Sequence, residues 1–459
     1  MVLRKITSSI VTCLIGSLLL FYSEYGWAQQ PSTQRQISSP HLPAFPVPKP
    51  AVFDILSVNP SFGFPAGMPV WGNPSVPVPS VANMGNTESV QRFIQMQQLV
   101  VEIERESLQY IYDFPNRNQI QPGSEHYEQA FNDMQDMLQG YKTLSLSDAV
   151  FLVENAFFEG QLSREVFDVA LDHYVEFTLR WLDEQGLDTS SPNARLYGLQ
   201  QLFSDTLEVT NPGMETVQIH YPFDYDFDDF LGHEEFTNQF VTKLLATGSG
   251  QCYSLPTLFL LIAEQLDVDA YLAFSPNHSF VRMKDENGHW YNFETTTGYL
   301  VSDAWVMGSG YVTADAIRSK IFLNPLDTRS IVAHKLADLA LGYHHKYGNS
   351  PFVKKAAEAS LEYLPNNIFA MMVRANYQTD LIDWLWNIRG NPHPSHFESD
   401  ARIREILAER NDIYRRIDAT GYQAMPEEAY RAWLESVAQE KEKQEQQRQY
   451  LRLLERPKQ

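Results

Sequence analysis

The residue with the clearest capacity for chemistry is Cys252, one of two cysteines in the chain. It lies between a glycine-rich turn and an apolar helix, in the segment 250–256 (GQCYSLP), whereas Cys13 lies in an N-terminal apolar stretch. A thiol at a helix N-terminus has a lowered pKa, because unpaired N–H groups and the helix dipole stabilise the thiolate. The sequence therefore predicts a nucleophile whose own N–H can also donate to an oxyanion. The alternative is an inert thiol in the core.

A nucleophilic thiol needs a base, and the base needs a group that holds it in place. His278 is the candidate base, directly before a strand predicted over 279–283. Glu294 is the candidate orienting acid, directly after a strand predicted over 289–293. With Cys252 they predict a catalytic triad. The alternatives are a structural histidine and an acid that only ends a strand.

The turn between these two strands decides whether His278 and Glu294 can meet. A two-residue loop ending at Gly288 places the two side chains on opposite faces of the sheet. A three-residue loop with Gly288 in the left-handed conformation makes them diagonal neighbours on one face, about 7–8 Å apart between backbones. Asn292 lies on the same face one step further away, and is the alternative orienting group.

Cysteine at a helix start, a strand beginning with histidine, and a strand ending in an acid four residues after Trp290 resemble the transglutaminase-like superfamily. The resemblance covers about 221–310. It implies a papain-like α+β core with a Cys-His-Asp triad at Cys252, His278 and Glu294.

The resemblance extends to Thr295, which matches a threonine near the acid, and to Gln251, which corresponds to a residue near the oxyanion site. Two features depart from the family pattern. Glu294 stands where the family usually has Asp, and the interval from Cys252 to His278 is short, which implies trimmed loops around the cleft. Similar trimmed cores joined to tetratricopeptide-like helices occur in bacterial members.

The predicted fold class is α+β, with the helix that carries Cys252 packed on a small antiparallel sheet. Helices precede this core, and two of them are predicted to be capped at Ser147 and Ser163 with aromatic stripes that face a core. The segment 221–229 alternates aromatic and acidic residues. It lacks the glycine and distal glutamate of a calcium loop, so an extended segment with packed aromatic side chains is favoured.

Beyond about residue 325 the pattern is helical again. Predicted helices over 331–347 and 352–364, followed by Pro365 and another helix, resemble a degenerate tetratricopeptide repeat. The last segment, 426–459, predicts one long helix with charged and Gln-rich faces. A solvated helix is favoured there over a partner-binding one.

The N-terminus follows the pattern of a secretory signal. Arg4 and Lys5 precede an apolar stretch, and small residues at Gly26 and Ala28 predict cleavage after Ala28. We therefore expect a periplasmic or secreted protein without stable membrane insertion after cleavage. An uncleaved N-terminal anchor is the alternative.

These patterns divide the chain into six predicted regions. In order they are a signal peptide (1–28), a Pro-rich disordered linker (29–85), an N-terminal helical region (86–210), a transglutaminase-like core (211–325), a helical tetratricopeptide-like region (326–420) and a long charged C-terminal helix (421–459).

The charge of the chain bears on its partners. There are 35 basic and 57 acidic residues, a net charge of −22. Such a surface repels nucleic acid and anionic membranes, so neither is an expected partner. The simplest role of the acidity is to keep an exported protein soluble.

The predicted function is acyl transfer at amide bonds through Cys252, His278 and Glu294, on a protein or peptide substrate and with no cofactor or metal. Hydrolysis by a peptidase or amidase is favoured over cross-linking, because water needs no second binding site. The alternative is a catalytically silent scaffold whose C-terminal helices recruit a protein of the cell envelope. A redox sensor that pairs Cys252 between chains is a third hypothesis.

Overall fold

The protein is a mixed helix and sheet structure, which confirms the α+β class. The predicted signal peptide (1–28), which contains Cys13, and the predicted linker (29–85) lie outside the residues whose structure is described. The computed structural model describes residues 91–92, 94–99, 111–115, 121–210, 217–229, 235–284, 288–308 and 311–455.

Within residues 121–210, four helices precede the candidate site. Serine side chains cap three of them by accepting a backbone N–H from the first turn. Ser163 is one of these caps, as predicted, but another is Ser145 in place of the predicted Ser147. The helices are α1 (Glu125–Gln139), α2 (Leu146–Phe157), α3 (Arg164–Glu184) and α4 (Pro192–Ser204).

Short elements then lead to the cysteine. Antiparallel β1 and β2 are followed by a pair of two-residue strands, β3 and β4, which run parallel to each other. A 3-10 turn at Phe236–Gln239 precedes α5. The elements are β1 (Leu207–Thr210), β2 (Val217–His220), β3 (Asp224–Tyr225), α5 (Val241–Thr247), β4 (Ser249–Gly250) and α6 (Ser254–Gln265).

The helix α6 lies at the centre of the main core. Its residues from Ser254 to Ala263 are all buried, as expected for a helix that is apolar around most of its circumference. At its far end the Glu264 carboxylate accepts the backbone N–H groups of Leu146 and Ser147 at the start of α2. This contact caps α2 and fixes it against α6.

A four-stranded antiparallel sheet packs against α6, in the order β5-β6-β7-β8. This confirms the predicted arrangement of a cysteine-bearing helix on a small antiparallel sheet. Strands are predicted over 270–274, 279–283 and 289–293, whereas the last strand of the sheet was not predicted. The strands are β5 (Tyr271–Ser275), β6 (His278–Lys284), β7 (Trp290–Glu294) and β8 (Tyr299–Val301).

The register between β6 and β7 follows the three-residue loop. Lys284 pairs with Trp290 and Val281 with Phe293, the pairing expected for that loop. Gly288 has a φ of 82°, in the left-handed region that the loop requires. The two-residue alternative is therefore wrong, and His278 and Glu294 share one face of the sheet.

Helices make up the rest of the described chain. The predicted pair and the helix after it are α9, α10 and α11, whose bounds agree closely with the prediction. The elements are α7 (Asp303–Met307), α8 (Ala314–Arg318), α9 (Thr328–Tyr347), α10 (Pro351–Tyr363), α11 (Ile368–Ile388), α12 (Pro394–Phe397), α13 (Ala401–Ala419) and α14 (Glu427–Glu455).

Buried side chains form two large clusters. One joins α1 and α2 to α9, α10 and α11, and the other surrounds α6 and the sheet. The start of α14 belongs to the second cluster through Tyr430 and Leu434, and Val437 is also buried at helical spacing from them. The expectation of a solvated C-terminal helix is thus wrong for its first turns.

Among the described residues, no helix combines the length and the apolar character that crossing a membrane requires.

Candidate active site

Cys252 lies two residues before Ser254, the first residue of α6. The backbone N–H of Leu255 donates to the Gln251 carbonyl at 3.1 Å, so the helical turn already includes Cys252. Helix starts leave N–H groups without intrahelical acceptors, which favours negative charge at this position. The residue is partly exposed and its thiol is free.

Gly250 is required here for packing. A Cβ at this position would lie 2.6 Å from the Ser254 hydroxyl oxygen and 3.1 Å from a methyl carbon of Leu244. The Ser254 hydroxyl in turn accepts the backbone N–H of Gln251 at 2.9 Å. The glycine therefore allows the turn before Cys252 to close on itself.

His278 and Glu294 meet as the register requires. His278 Nε2 donates to Glu294 Oε2 at 2.7 Å, and both side chains are almost completely buried. The other carboxylate oxygen accepts the backbone N–H of Thr296 at 3.0 Å. Because both oxygens have donors, the carboxylate is fixed in position and holds the imidazole by one nitrogen.

Two tight turns position this pair. Asn277 has a φ of 56° and ends the turn from β5, which makes His278 the first residue of β6. Beyond β7, Gly298 has a φ of 77°, and a Cβ there would lie 2.9 Å from the Ser204 Cα. Both ends of the ion pair are thus set by backbone turns.

The thiol and the imidazole are near enough that each shifts the pKa of the other. Since Nε2 is bound to Glu294, Nδ1 is the nitrogen left for Cys252, and within the described part of the chain no hydrogen bond of regular geometry reaches it. The Cys252 thiol also contacts the Asn277 carbonyl, at 3.8 Å from Sγ to oxygen. Ser279 Oγ donates to the Cys252 carbonyl and ties the two segments together.

The electrostatics favour a thiolate beside an imidazolium. Burial raises the pKa of the Cys252 thiol, but the hydrogen bond and charge of His278, and then a hydrogen bond from Tyr430, bring the pKa below its ordinary value. Burial lowers the pKa of His278, but the charge of Glu294 and the hydrogen bond with Cys252 outweigh it and raise the pKa to about 10.

Two tyrosine hydroxyls lie next to the thiol, and sequence reasoning missed both. The Tyr430 hydroxyl donates to Cys252 Sγ at 3.6 Å from the first turn of α14. The Tyr225 hydroxyl, from β3, lies beside both Cys252 and Tyr430 but makes no hydrogen bond of regular geometry within the described residues. Burial, followed by the charge of Cys252, raises the pKa of each tyrosine well above its ordinary value, so both remain donors.

The same C-terminal segment covers the imidazole. The Trp433 ring stands edge-on to His278 with ring centres 4.7 Å apart, and it also contacts Trp305 at 5.6 Å. Asn277 Nδ2 donates to the Met425 carbonyl at 3.0 Å. The apolar spacing of Tyr430, Leu434 and Val437 could have predicted that this helix face is buried. It could not have predicted that the face packs against His278 and Cys252.

Gln251 and Asn292, the other two predicted site residues, are engaged elsewhere. The side-chain amide of Gln251 donates to the Asp229 carbonyl. Asn292 lies opposite Arg282, and its Nδ2 donates to Asp303 Oδ1 at 2.7 Å. The geometry therefore gives the orienting contact to Glu294.

The acidic segment 221–229 contributes to the site through its aromatic residues. Phe223 and Tyr225 are buried, as predicted for an extended segment, whereas Phe227 is exposed. The carboxylates of Asp226 and Asp229 accept protein donors, among them the amide of Asn238. Within the described ranges, no cluster of three or more potential ligands is arranged to hold a metal ion.

Tyr253, the residue after Cys252, links the site to the helical region. Its hydroxyl donates to Asp338 and accepts from Lys335 at 3.1 Å, and both partners lie on α9. Lys335 and Asp338 also form an ion pair at 3.0 Å. The start of α6 is therefore fixed on one side by the sheet and on the other by α9.

Comparisons with known proteins say little about this arrangement. No protein-family model matches the chain, and no curated protein matches it. Among solved structures, the chain is similar to the crystal structure of menin that reveals the binding site for the Mixed Lineage Leukemia (MLL) protein. The identity is 12%, the similarity covers 65% of this chain and 84% of that one, and the TM-score is 0.29. A TM-score of this size does not establish a shared fold.

Proposed function

We propose that this protein is an exported thiol enzyme of transglutaminase-like type that transfers acyl groups from amide bonds, with hydrolysis as its main outcome. The observation that carries the proposal is that Glu294 binds His278 Nε2 at 2.7 Å beside the Cys252 thiol. The lowered pKa of the thiol supports it. A cysteine that only filled a core would need neither feature.

The reaction follows from these contacts. The Cys252 thiolate attacks the amide carbonyl carbon, a C–S bond forms, and the carbonyl π electrons move to oxygen. As the tetrahedral species collapses, the C–N bond breaks and the His278 imidazolium gives its proton to the leaving amine. His278, now neutral, takes a proton from water, and the resulting attack on the thioester releases the acid and returns the thiolate.

Glu294 acts on this cycle through the imidazole. Its carboxylate stabilises the imidazolium and keeps Nδ1 directed at the thiol, the role of the acid in hydrolase triads. Burial of the pair excludes water, which strengthens the attraction between the charges. The proposed substrate is a protein or peptide of the periplasm or the exterior, and the helical region is proposed to be tetratricopeptide-like.

A silent scaffold is the second candidate, and the cover over the imidazole favours it. Trp433 and Tyr430 leave little room beside His278, which is 4% exposed. In that case the triad would be a structural remnant and the helical region would bind an envelope protein. Thiol reactivity distinguishes the two proposals.

The test is the pH dependence of alkylation by iodoacetamide, with peptide mapping to separate Cys252 from Cys13. An enzyme-like pair gives an alkylation midpoint below the ordinary thiol pKa, because the thiolate is stabilised above that lowered value. In His278→Ala the midpoint moves up, since burial then acts without the imidazolium.

Acylation by p-nitrophenyl acetate provides the second readout. We expect an acetyl group on Cys252 in the wild type, none in Cys252→Ala, and a rate lower by about 10²- to 10⁴-fold in His278→Ala. Acyl transfer is expected to decline above about pH 10, where His278 loses its proton. An unreactive Cys252, or one unaffected by His278→Ala, would leave the scaffold as the better account.

A further inference from the structure

The segment that precedes the nucleophile is paired to a strand whose tyrosine has no assigned role. Tyr225 pairs with Gly250 in the parallel β3–β4 ladder, two residues before Cys252. The ladder is closed by backbone hydrogen bonds from Asp224 N to the Gly248 carbonyl at 2.9 Å and from Asp226 N to the Gly250 carbonyl at 2.8 Å. The position of Tyr225 relative to Cys252 is therefore set by the backbone.

The hydroxyl of Tyr225 is a buried donor without a satisfactory acceptor. Tyr225 is 6% exposed, and within the described part of the chain no hydrogen bond of good geometry reaches its hydroxyl oxygen. Buried polar atoms are almost always paired, so an unpaired one next to a reactive group calls for a functional reason. The neighbours of this hydroxyl are the Cys252 thiol and the Tyr430 hydroxyl.

We infer that Tyr225 is the side-chain oxyanion donor of the proposed acyl transfer, acting together with the backbone N–H of Cys252. This inference rests on the proposed function. Before attack the negative charge is on Sγ. As sulfur bonds to the carbonyl carbon, the charge moves to the carbonyl oxygen of the substrate, one bond away from that carbon. A donor beside the thiol that has no good partner beforehand gains its hydrogen bond at that moment.

Tyr430 differs from Tyr225 in this respect. Its hydroxyl already donates to Sγ at 3.6 Å, so it stabilises the thiolate before the reaction. An interaction present in the ground state does not lower the barrier, whereas one formed only in the transition state does. Tyr225 therefore affects acylation, and Tyr430 affects the pKa of the thiol.

The electrostatic environment keeps Tyr225 in the required form. Burial first, and then the charge of Cys252, raise the pKa of its hydroxyl well above the ordinary value. The hydroxyl thus keeps its proton across the range in which the thiolate forms. No proton needs to leave Tyr225 in the reaction, since it donates a hydrogen bond to the oxyanion and regains its former state when the carbonyl reforms.

The experiment compares two reactions of Cys252 in the full chain. Acylation by p-nitrophenyl acetate passes through an oxyanion, whereas alkylation by iodoacetamide displaces iodide and forms none. We expect Tyr225→Phe to lower the acylation rate by about 10²-fold, the effect of removing one oxyanion donor, and to leave alkylation unchanged. Tyr430→Phe is expected to raise the pH midpoint of alkylation.

Tyr127→Phe is the matched control. It removes another buried tyrosine hydroxyl without a partner in the described residues, in the cluster that does not contain Cys252. We expect both reactions of this variant to match the wild type. Thermal unfolding of Tyr225→Phe is expected to remain close to the wild type, because no good hydrogen bond is lost.

Each outcome has a distinct meaning. Acylation that is unchanged in Tyr225→Phe overturns the inference and leaves the thiol enzyme standing. An equal fall in acylation and alkylation also overturns it, because Tyr225 would then serve the thiolate or the local fold. A wild-type Cys252 that neither reagent modifies overturns the proposed function itself, and the inference with it.

Discussion

The thiol has two sides that are built in different ways. On one side, His278 and Glu294 come from neighbouring strands whose register is set by a single turn. On the other, Tyr430 and Trp433 come from the first turns of α14, and Tyr430 lies 178 residues from Cys252 along the chain. The strand side holds the groups that can move a proton, and the helix side holds groups that cover them.

The strand side is therefore expected to determine the reactivity of the thiol, and the helix side to determine the access of reagents to it. The strand side is continuous with the sheet, so its groups cannot leave without unpairing β6 and β7. The helix side rests on side-chain packing and a few hydrogen bonds, such as Asn277 Nδ2 to the Met425 carbonyl. Elements held in this way open at lower free energy than the strands of a core. Substitutions on the strand side should therefore abolish the reactivity of Cys252, and substitutions on the helix side should change its rate moderately.

The largest expected effect comes from Glu294→Gln, which keeps the size of the side chain but removes its charge. Burial then lowers the pKa of His278 without the opposing influence of the carboxylate, and the thiolate–imidazolium pair is lost near neutral pH. We expect acylation by p-nitrophenyl acetate to fall by about 10²- to 10⁴-fold.

Glu294→Asp serves as the control for charge. It keeps the carboxylate on a side chain one methylene shorter. The acylation rate should therefore fall less in Glu294→Asp than in Glu294→Gln. Titration of the His278 ring by NMR reports the accompanying change in pKa. A Glu294→Gln variant with wild-type acylation and an unchanged His278 pKa would contradict the triad.

The sequence predicts the strand side of the site better than the helix side. The strand side was accessible because the side chains of a strand alternate between faces, so the length of the turn determines which residues meet. The sequence reduced the turn to two loops that both contain Gly288, and the observed register is that of the three-residue loop, which makes His278 and Glu294 neighbours. The prediction needed only local chain geometry.

The helix side was not accessible for a physical reason. The apolar spacing of Tyr430, Leu434 and Val437 predicts a buried face, but the surface it meets depends on how the helices between β8 and α14 stack. Tyr225 was missed for a related reason, because strands of two residues give no periodic signal. Its parallel pairing with β4 is visible only in three dimensions.

A moderate effect is expected from Trp433→Ala, which removes part of the cover. An edge-on aromatic contact contributes about 0.5–1.5 kcal/mol. Loss of the contact with His278 should therefore speed alkylation of Cys252 by up to about tenfold if opening limits access. A bulky maleimide should gain more than iodoacetamide, since it needs the larger opening.

Trp386→Ala is the matched control for this variant. Trp386 is also partly buried and contacts Phe397 with ring centres 5.0 Å apart, in the cluster away from the thiol. We expect it to leave alkylation of Cys252 unchanged. If Trp433→Ala slows both reagents, α14 supports the site instead of limiting access to it.

The smallest effect on chemistry is expected from Asn292→Ala, which tests whether the strand side has a second orienting group. Asn292 is buried and donates to Asp303 Oδ1 at 2.7 Å, and Arg282 Nη2 donates to the same carboxylate at 3.1 Å. Its amide is therefore committed to a polar network one register step beyond Glu294. We expect acylation to remain at the wild-type rate, while the free energy of unfolding falls by about 1 kcal/mol for the lost hydrogen bond. Chemical denaturation and p-nitrophenyl acetate acylation measure the two quantities on the same sample. A loss of acylation comparable with that of Glu294→Gln would show that Asn292 holds the imidazole during turnover, and that the 2.7 Å contact to Glu294 is not the one that matters.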